Sequence, residues 1–242
     1  LSRLTARWGA GMILAFDIGG SRIRAATWNG GWDGALRPQG EVATPAGDKA
    51  AFTAAIAGFV QGGERGIAIS IAGVVDPATG IGTVANIPAI DGLALGPELR
   101  AATGLPVSVL NDADCFALAE AGRGAGRGHG TVFGVILGSG VGGGLVVGGR
   151  VINGAGGYAG EWGHGPVIRG EFAFPCGCGQ VGCVDTVGGA RGLERLHRAR
   201  SGEGLGSEAI VAGWRAGDAA ASATMALWRD LSASRPLLLL ID

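Results

Sequence analysis

Apolar runs of strand and helix length, many of them ending at glycine or a polar residue, set out the elements of this chain. Met12 to Asp17 is apolar and closes on an acid, and Ile18-Gly-Gly-Ser21 then turns into Arg22 to Trp28. That pattern predicts a strand, a glycine hairpin and a second strand. Lys49 to Val60 carries apolar residues at helical spacing. Gly66 to Ile71 and Ile81 to Ala85 read as strands, and Leu95 to Thr103 as a short helix. Leu105 to Leu110 reads as a buried strand that delivers Asn111-Asp112 to its carboxyl end, with a helix over Ala113 to Ala121. Thr131 to Leu137 and Gly144 to Val147 flank the loop Gly138-Ser-Gly-Val-Gly-Gly143, which predicts a second hairpin. A loop bearing three cysteines follows, then helices over Gly189 to Arg200 and Ser207 to Leu231, and a last strand in Leu237-Leu-Leu-Leu-Ile-Asp242. Strands mixed with helices indicate an α/β protein. Each half opens with strand, glycine turn and strand, which predicts two related lobes around a cleft, divided into 11–112 and 113–242.

Composition narrows the function classes. Of the 242 residues, 47% are hydrophobic and 16% charged, which suits a folded core and argues against a disordered chain. A net charge of −1 and the lack of a basic run give no electrostatic support for binding nucleic acid or an anionic membrane. No apolar stretch reaches the length of a membrane span. Glycine is abundant, at 50 residues, but it lacks the Gly-X-Y period of collagen and clusters at turns. Leu1 to Ala10 lacks a signal-like apolar core, and the cysteine spacing suits a metal better than disulfides, so the expected location is cytoplasmic. The chain opens on Leu1 without a methionine and stops on an apolar run that reads as a buried strand. The expectation is that the polypeptide continues.

Candidate chemistry starts with Asp17-Ile-Gly-Gly-Ser21. Successive N–H groups in a glycine turn form an anion nest, and the adjacent acid can hold Mg²⁺ through water; an ordinary hairpin turn is the plainer alternative. Gly138, Ser139 and Gly140 open a second loop of the same kind. Neither loop matches the P-loop pattern or a Gly-x-Gly-x-x-Gly that opens a helix, so both of those nucleotide-binding readings are excluded. Asp112 is a helix N-cap on one reading and a general base on the other, since ligands of α/β sheets bind beyond the carboxyl ends of strands. Gly73, Asp76 and Asn86 add a polar rim, with Asn86 either a polyol ligand or a turn residue before Pro88.

His164, Cys176, Cys178 and Cys183 make a complete tetrahedral zinc set. Cys-Gly-Cys is tighter than the usual Cys-x-x-Cys redox pair, and four protein ligands leave no open position, so a structural metal is the reading. Cys115 stands in a helical pattern as a buried apolar residue.

These segments together resemble the ROK family (repressor, open reading frame, kinase), from Met12 onward. The carrying motifs are Phe16-Asp-Ile-Gly-Gly-Ser21, Leu110-Asn-Asp-Ala-Asp-Cys-Phe-Ala-Leu-Ala-Glu120, Leu137-Gly-Ser-Gly-Val-Gly-Gly-Gly144, Gly160-Glu-Trp-Gly-His164 and Cys176-Gly-Cys-Gly-Gln-Val-Gly-Cys183. Asn86-Ile-Pro88, Asn111 to Leu118 and Phe174-Pro175 are most similar to the members that act on N-acetyl-D-glucosamine. The resemblance implies an actin-like ATPase fold with ribonuclease-H-like sheets, ATP with Mg²⁺ on the two glycine hairpins, and Asp112 as the base that activates a sugar 6-hydroxyl. It implies sugar contacts from Asn111, Glu161 and His164, with Gly73 and Asn86 shaping the acyl side. It also implies a structural Zn²⁺ on His164 and the three cysteines, and a homodimer, which is common in the family. Glucose, fructose and N-acetylmannosamine are the alternative substrates.

Three departures stand out. Asp185 replaces a family Glu that serves the sugar site and is expected, as the shorter acid, to bind the sugar in its place; Ser21 and Ser139 replace Thr; and the family continues past Asp242 into an adenosine-binding turn and a closing helix. A repressor of the same family would need a winged helix-turn-helix ahead of the first loop, where only about a dozen residues stand. A sugar-binding protein without catalysis would bind sugar but no nucleotide.

Overall fold

A computed structural model describes residues 11–29 and 34–234. The strand expected after Leu237 lies outside the described residues. β1 (Met12–Ile18) pairs antiparallel with β2 (Arg22–Trp28), Ile18 opposite Ile23 and Asp17 opposite Arg24, which closes the predicted glycine hairpin. β3 (Arg37–Ala43) extends the sheet beyond β2. Its residues, Arg-Pro-Gln-Gly-Glu-Val-Ala, carry no apolar alternation that would predict a strand. The open edge of β2 supplies the pairing, and the register shifts between Ala25 and Ala26, opposite the stretch that holds Pro38.

α1 (Lys49–Ala57) is capped by Asp48, which accepts from the Ala51 N–H at 3.0 Å, and it buries Phe52 and Ile56. β4 (Glu64–Ile71) runs parallel to β1. β5 (Val74–Val75) and β6 (Gly82–Thr83) form a short ribbon, so the strand expected over Ile81 to Ala85 shrinks to two residues. α2 (Leu95–Thr103) ends on Gly104 in the left-handed region, where only glycine is free of a Cβ penalty. β7 (Val107–Asn111) pairs parallel with β4 and leads directly into α3 (Asp112–Gly122). The sheet order is β3-β2-β1-β4-β7. Leu14, Phe16, Ile18, Ile67, Ile69 and Ile71 are its buried spine, covered by Phe52, Ile56 and Leu99.

β8 (Thr131–Leu137), β9 (Val141–Val147) and β10 (Arg150–Val151) make a three-stranded sheet. The turn of the second hairpin is confined to Gly138–Gly140, because Gly142 and Gly143 belong to β9. After a long irregular segment come a single helical turn, Asp185–Gly188, and then α4 (Ala190–Ser201), α5 (Ser207–Arg215) and α6 (Ala219–Arg229). The helix expected over Ser207 to Leu231 is thus two. Gly217 at φ 83° ends the first, and Asp218 starts the second by accepting from the Ala221 N–H at 2.7 Å.

The chain divides into two compact units. The first runs through Gly134 and takes up Gly144–Gly160, and the second holds Val135–Gly143 and the residues from Glu161 onward. The division expected between residues 112 and 113 therefore differs from the one observed. The physical reason is the packing of α3: a Cβ on Gly134 would lie 2.8 Å, and one on Gly144 3.0 Å, from Cβ of Ala117. The glycines let α3 sit directly on the base of the second hairpin.

Candidate active site and metal centre

In the first unit, the turn between β1 and β2 is closed by the Gly19 N–H donating to Arg22 O at 2.9 Å. Thr44 braces it from outside, its N–H donating to Ser21 O at 3.0 Å and its hydroxyl to Gly19 O at 2.7 Å. The N–H groups of Gly20 and Ser21 have no acceptor among the described residues. Two adjacent unsatisfied donors beside the exposed carboxylate of Asp17 are a compact site for an anion and its cation. Asp17 meets Arg24 at 3.4 Å, an exposed pair of little energetic weight. A Cβ on Gly20 would come within 3.1 Å of Asn86 Cβ, so the turn and the exposed Asn86 are neighbours. Thr44 carries no sequence signal for its part, because a brace reached through a loop has no motif.

At the carboxyl end of β7 the two readings of Asp112 separate. Asn111 is the cap: its Oδ1 accepts from the Ala113 N–H at 2.8 Å and the Asp114 N–H at 3.1 Å. Its Nδ2 donates to Gly73 O at 2.8 Å, tying α3 to the strand-end loop after β4. Gly73 has φ 141°, and a Cβ there would lie 2.5 Å from Thr83 O, so only glycine fits. Asp112 is the first residue of the helix, and its carboxylate accepts from the Ala113 N–H at 2.9 Å and from its own backbone N–H, with no side-chain partner among the described residues. That carboxylate reaches solvent, yet enough protein surrounds it that desolvation raises its pKa above the ordinary aspartate value; the Ala113 hydrogen bond opposes the shift and the charge of Asp17 adds to it. A carboxylate so placed can accept a proton. Nearby, buried Asp114 accepts from Asn153 Nδ2 at 2.7 Å.

In the second unit, Gly138–Gly140 is closed by the Gly138 N–H donating to Gly140 O at 3.0 Å. Its other carbonyls take N–H groups from the start of α4, Ala190 to Gly138 O at 2.8 Å and Arg191 to Ser139 O at 3.3 Å. The Ser139 and Gly140 N–H groups have no acceptor among the described residues, the same condition as in the first turn. Trp162 Nε1 donates to Gly142 O at 2.8 Å, and the His164 N–H donates to Glu161 O at 3.1 Å, so the Glu161–His164 turn lies against β9. Asp185 does not stand apart from this loop: its Oδ1 accepts from the Val141 N–H at 2.8 Å.

His164, Cys176, Cys178 and Cys183 converge, each offering one ligand atom, and these atoms lie within 4.8 Å of one another. Cys176 Sγ is 3.5 Å from His164 Nδ1, and Cys178 Sγ is 3.6 Å from Cys183 Sγ. Tetrahedral zinc with Zn–S bonds near 2.3 Å needs S···S edges of about 3.8 Å, so the donor set fits. The Gly165 N–H points at Cys183 Sγ at 3.3 Å, as an N–H supporting a thiolate would. Burial pushes the Cys176 thiol up to about 12, while the Gln180 N–H pulls Cys178 down to about 7, so the two thiols divide their protons unevenly. Cys115 lies outside the cluster, its thiol pushed up to about 12 by burial, as suits an inert apolar residue.

The ROK family model matches residues 13–234. The N-acetyl-D-glucosamine kinase of Pasteurella multocida (strain Pm70) is 35% identical over 238 residues, spanning 92% of this chain and 77% of that protein. Among solved structures, a ROK hexokinase from Thermus thermophilus superposes with a TM-score of 0.77 at 28% identity, covering 91% of this chain and 74% of that one. A ROK family glucokinase from Streptomyces griseus, solved with glucose and AMPPNP, gives a TM-score of 0.70 at 28% identity, over 91% and 76% of the two chains. The expected α/β architecture is therefore the actin-like ATPase fold of these sugar kinases.

Proposed function

The chain belongs to the ROK family, and from that premise we propose that it transfers the γ-phosphoryl group of ATP to the 6-hydroxyl of an amino sugar, N-acetyl-D-glucosamine. The observation that carries the reading is the division of labour at the start of α3. Asn111 does the capping, so Asp112 keeps a carboxylate that, among the described residues, meets only local backbone N–H groups. Phosphoryl transfer asks for positioning, charge stabilisation and one proton acceptor, and little covalent work from the protein.

Asp112 takes the proton of the sugar hydroxyl as it attacks in line. The free N–H groups of Gly20, Ser21, Ser139 and Gly140 receive phosphate oxygens, and Asp17 holds Mg²⁺ through water. Asn86, Asn111, Glu161 and His164 orient the sugar, with Gly73 shaping the acyl side. Asn111 has one Nδ2 hydrogen left for this, since the other goes to Gly73 O. His164 Nδ1, Cys176, Cys178 and Cys183 would hold Zn²⁺, which supplies a closed cross-link in a segment too rich in glycine to hold itself by packing. ATP as donor and unpaired cysteines as ligands suit the cytoplasm.

N-acetyl-D-glucosamine is preferred over glucose, fructose and N-acetylmannosamine because the Pasteurella multocida relative, matched over 92% of this chain, is named for it. A coupled ADP-release assay over those four sugars tests the proposal. The highest kcat/KM is expected with N-acetyl-D-glucosamine, and absence of sugar-dependent ADP release with all four would overturn it.

A further inference from the structure

We propose that Asp185 is a positioning residue for the second glycine loop, holding Gly138–Val141 in its anion-binding form, rather than a sugar ligand. The inference rests on the kinase reading above. Asp185 Oδ1 accepts from the Val141 N–H at 2.8 Å, and the same oxygen occupies the space a Cβ on Gly140 would need, 2.3 Å away. The carboxylate is therefore in contact with loop backbone.

Its own backbone is held as firmly. The Asp185 N–H donates to Gly163 O at 2.8 Å, and a Cβ on Gly163 would stand 2.3 Å from Val141 O. Val141 is thus gripped on both sides of its peptide unit, its N–H by the Asp185 side chain and its carbonyl by close packing on Gly163. With Gly138 O and Ser139 O taken by the first N–H groups of α4, the loop has little freedom left except at the Ser139 and Gly140 N–H groups. Those are the two donors that remain for a phosphate.

Charge supports the same role. A hydrogen bond from a backbone N–H to an ionised carboxylate is about twice as strong as one between neutral groups, which suits a positioning contact. The length of the side chain matters too. A glutamate at this position would carry its carboxyl one methylene farther from its Cα than the Val141 N–H now lies, which gives the Asp-for-Glu departure a physical reason.

The test compares wild type with Asp185→Ala and Asp185→Asn, titrating AMPPNP and N-acetyl-D-glucosamine separately by calorimetry and measuring KM for ATP and for sugar. Losing a hydrogen bond to a charged group should raise the nucleotide Kd and KM of Asp185→Ala about tenfold, with sugar Kd within about twofold of wild type. Asparagine keeps an Oδ1 acceptor, so Asp185→Asn should recover most of the nucleotide affinity. Amide hydrogen exchange gives a readout independent of turnover: Val141 should be protected in wild type and Asp185→Asn, and exchange faster in Asp185→Ala. A rise in sugar Kd with nucleotide binding unchanged would overturn the proposal, as would equal Val141 exchange in all three proteins. If wild type binds neither ligand, the kinase reading fails instead, and the Val141 exchange still decides the contact.

Discussion

Asn111 caps α3, and the proposed role of its neighbour Asp112 as proton acceptor has measurable consequences. A carboxylate that must be ionised to accept a proton, and whose pKa burial raises, makes kcat/KM climb with pH through a limb above the ordinary aspartate range. Asp112→Asn should lower kcat by about a hundredfold to ten-thousandfold and remove that limb from the pH–rate profile. Stability should move the other way. Because the folded state raises this pKa, it binds the proton more tightly than the unfolded state does. Stability is therefore lost as pH rises from the unfolded to the folded value, and at neutral pH the ionised group is a burden. Asp112→Asn should melt no lower than wild type at neutral pH, and a clear drop in Tm would show that the carboxylate has a structural role after all. Both residues stood out in the sequence as a polar pair after an apolar run. Which of them caps was not legible, because either side chain satisfies the same spacing.

At the scale of elements, the α3 cap and the close-packed glycines decide what the loops can tolerate. Asn111→Ala removes two cap bonds and the link to Gly73 O, and should cost about 1–2 kcal/mol in a denaturant titration. Gly163→Ala drives a Cβ into Val141 O, which cannot yield like the end of a side chain, so a loss of about 1–3 kcal/mol is expected. Gly177→Ala is the comparison: nothing stands within 4 Å of its Cβ and its φ is ordinary, so its effect should stay within about 0.5 kcal/mol. Equal effects of the two glycine substitutions would contradict the packing described for the Glu161–His164 turn. Elements with their own periodicity, such as β1, β4 and α2, were readable along the chain. β3 was not, since its strand character comes from the open edge of β2, and the break at Gly217-Asp218 was hidden inside one continuous helical pattern.

For the whole molecule, the proposed zinc site gives the broadest test. Elemental analysis should find about one zinc per chain. Chelation should lower Tm and raise amide exchange across Glu161–Cys183 first, because that stretch is irregular between short turns and carries the four candidate ligands. Unchanged exchange there after metal removal would mean that the loop holds itself. The sequence by itself determined the strand and helix alternation, the two glycine turns, the ligand types of the metal set and the family. All of these are local in the chain: spacing, period and residue chemistry survive without coordinates. Only the tertiary structure decided that Asn111 caps while Asp112 is left uncommitted, that α3 belongs with the base of the second hairpin, and that Asp185 reaches back to the Val141 N–H. The reason is that a hydrogen bond across 44 positions, or a glycine seated on an alanine from another element, depends on distances that no local pattern encodes.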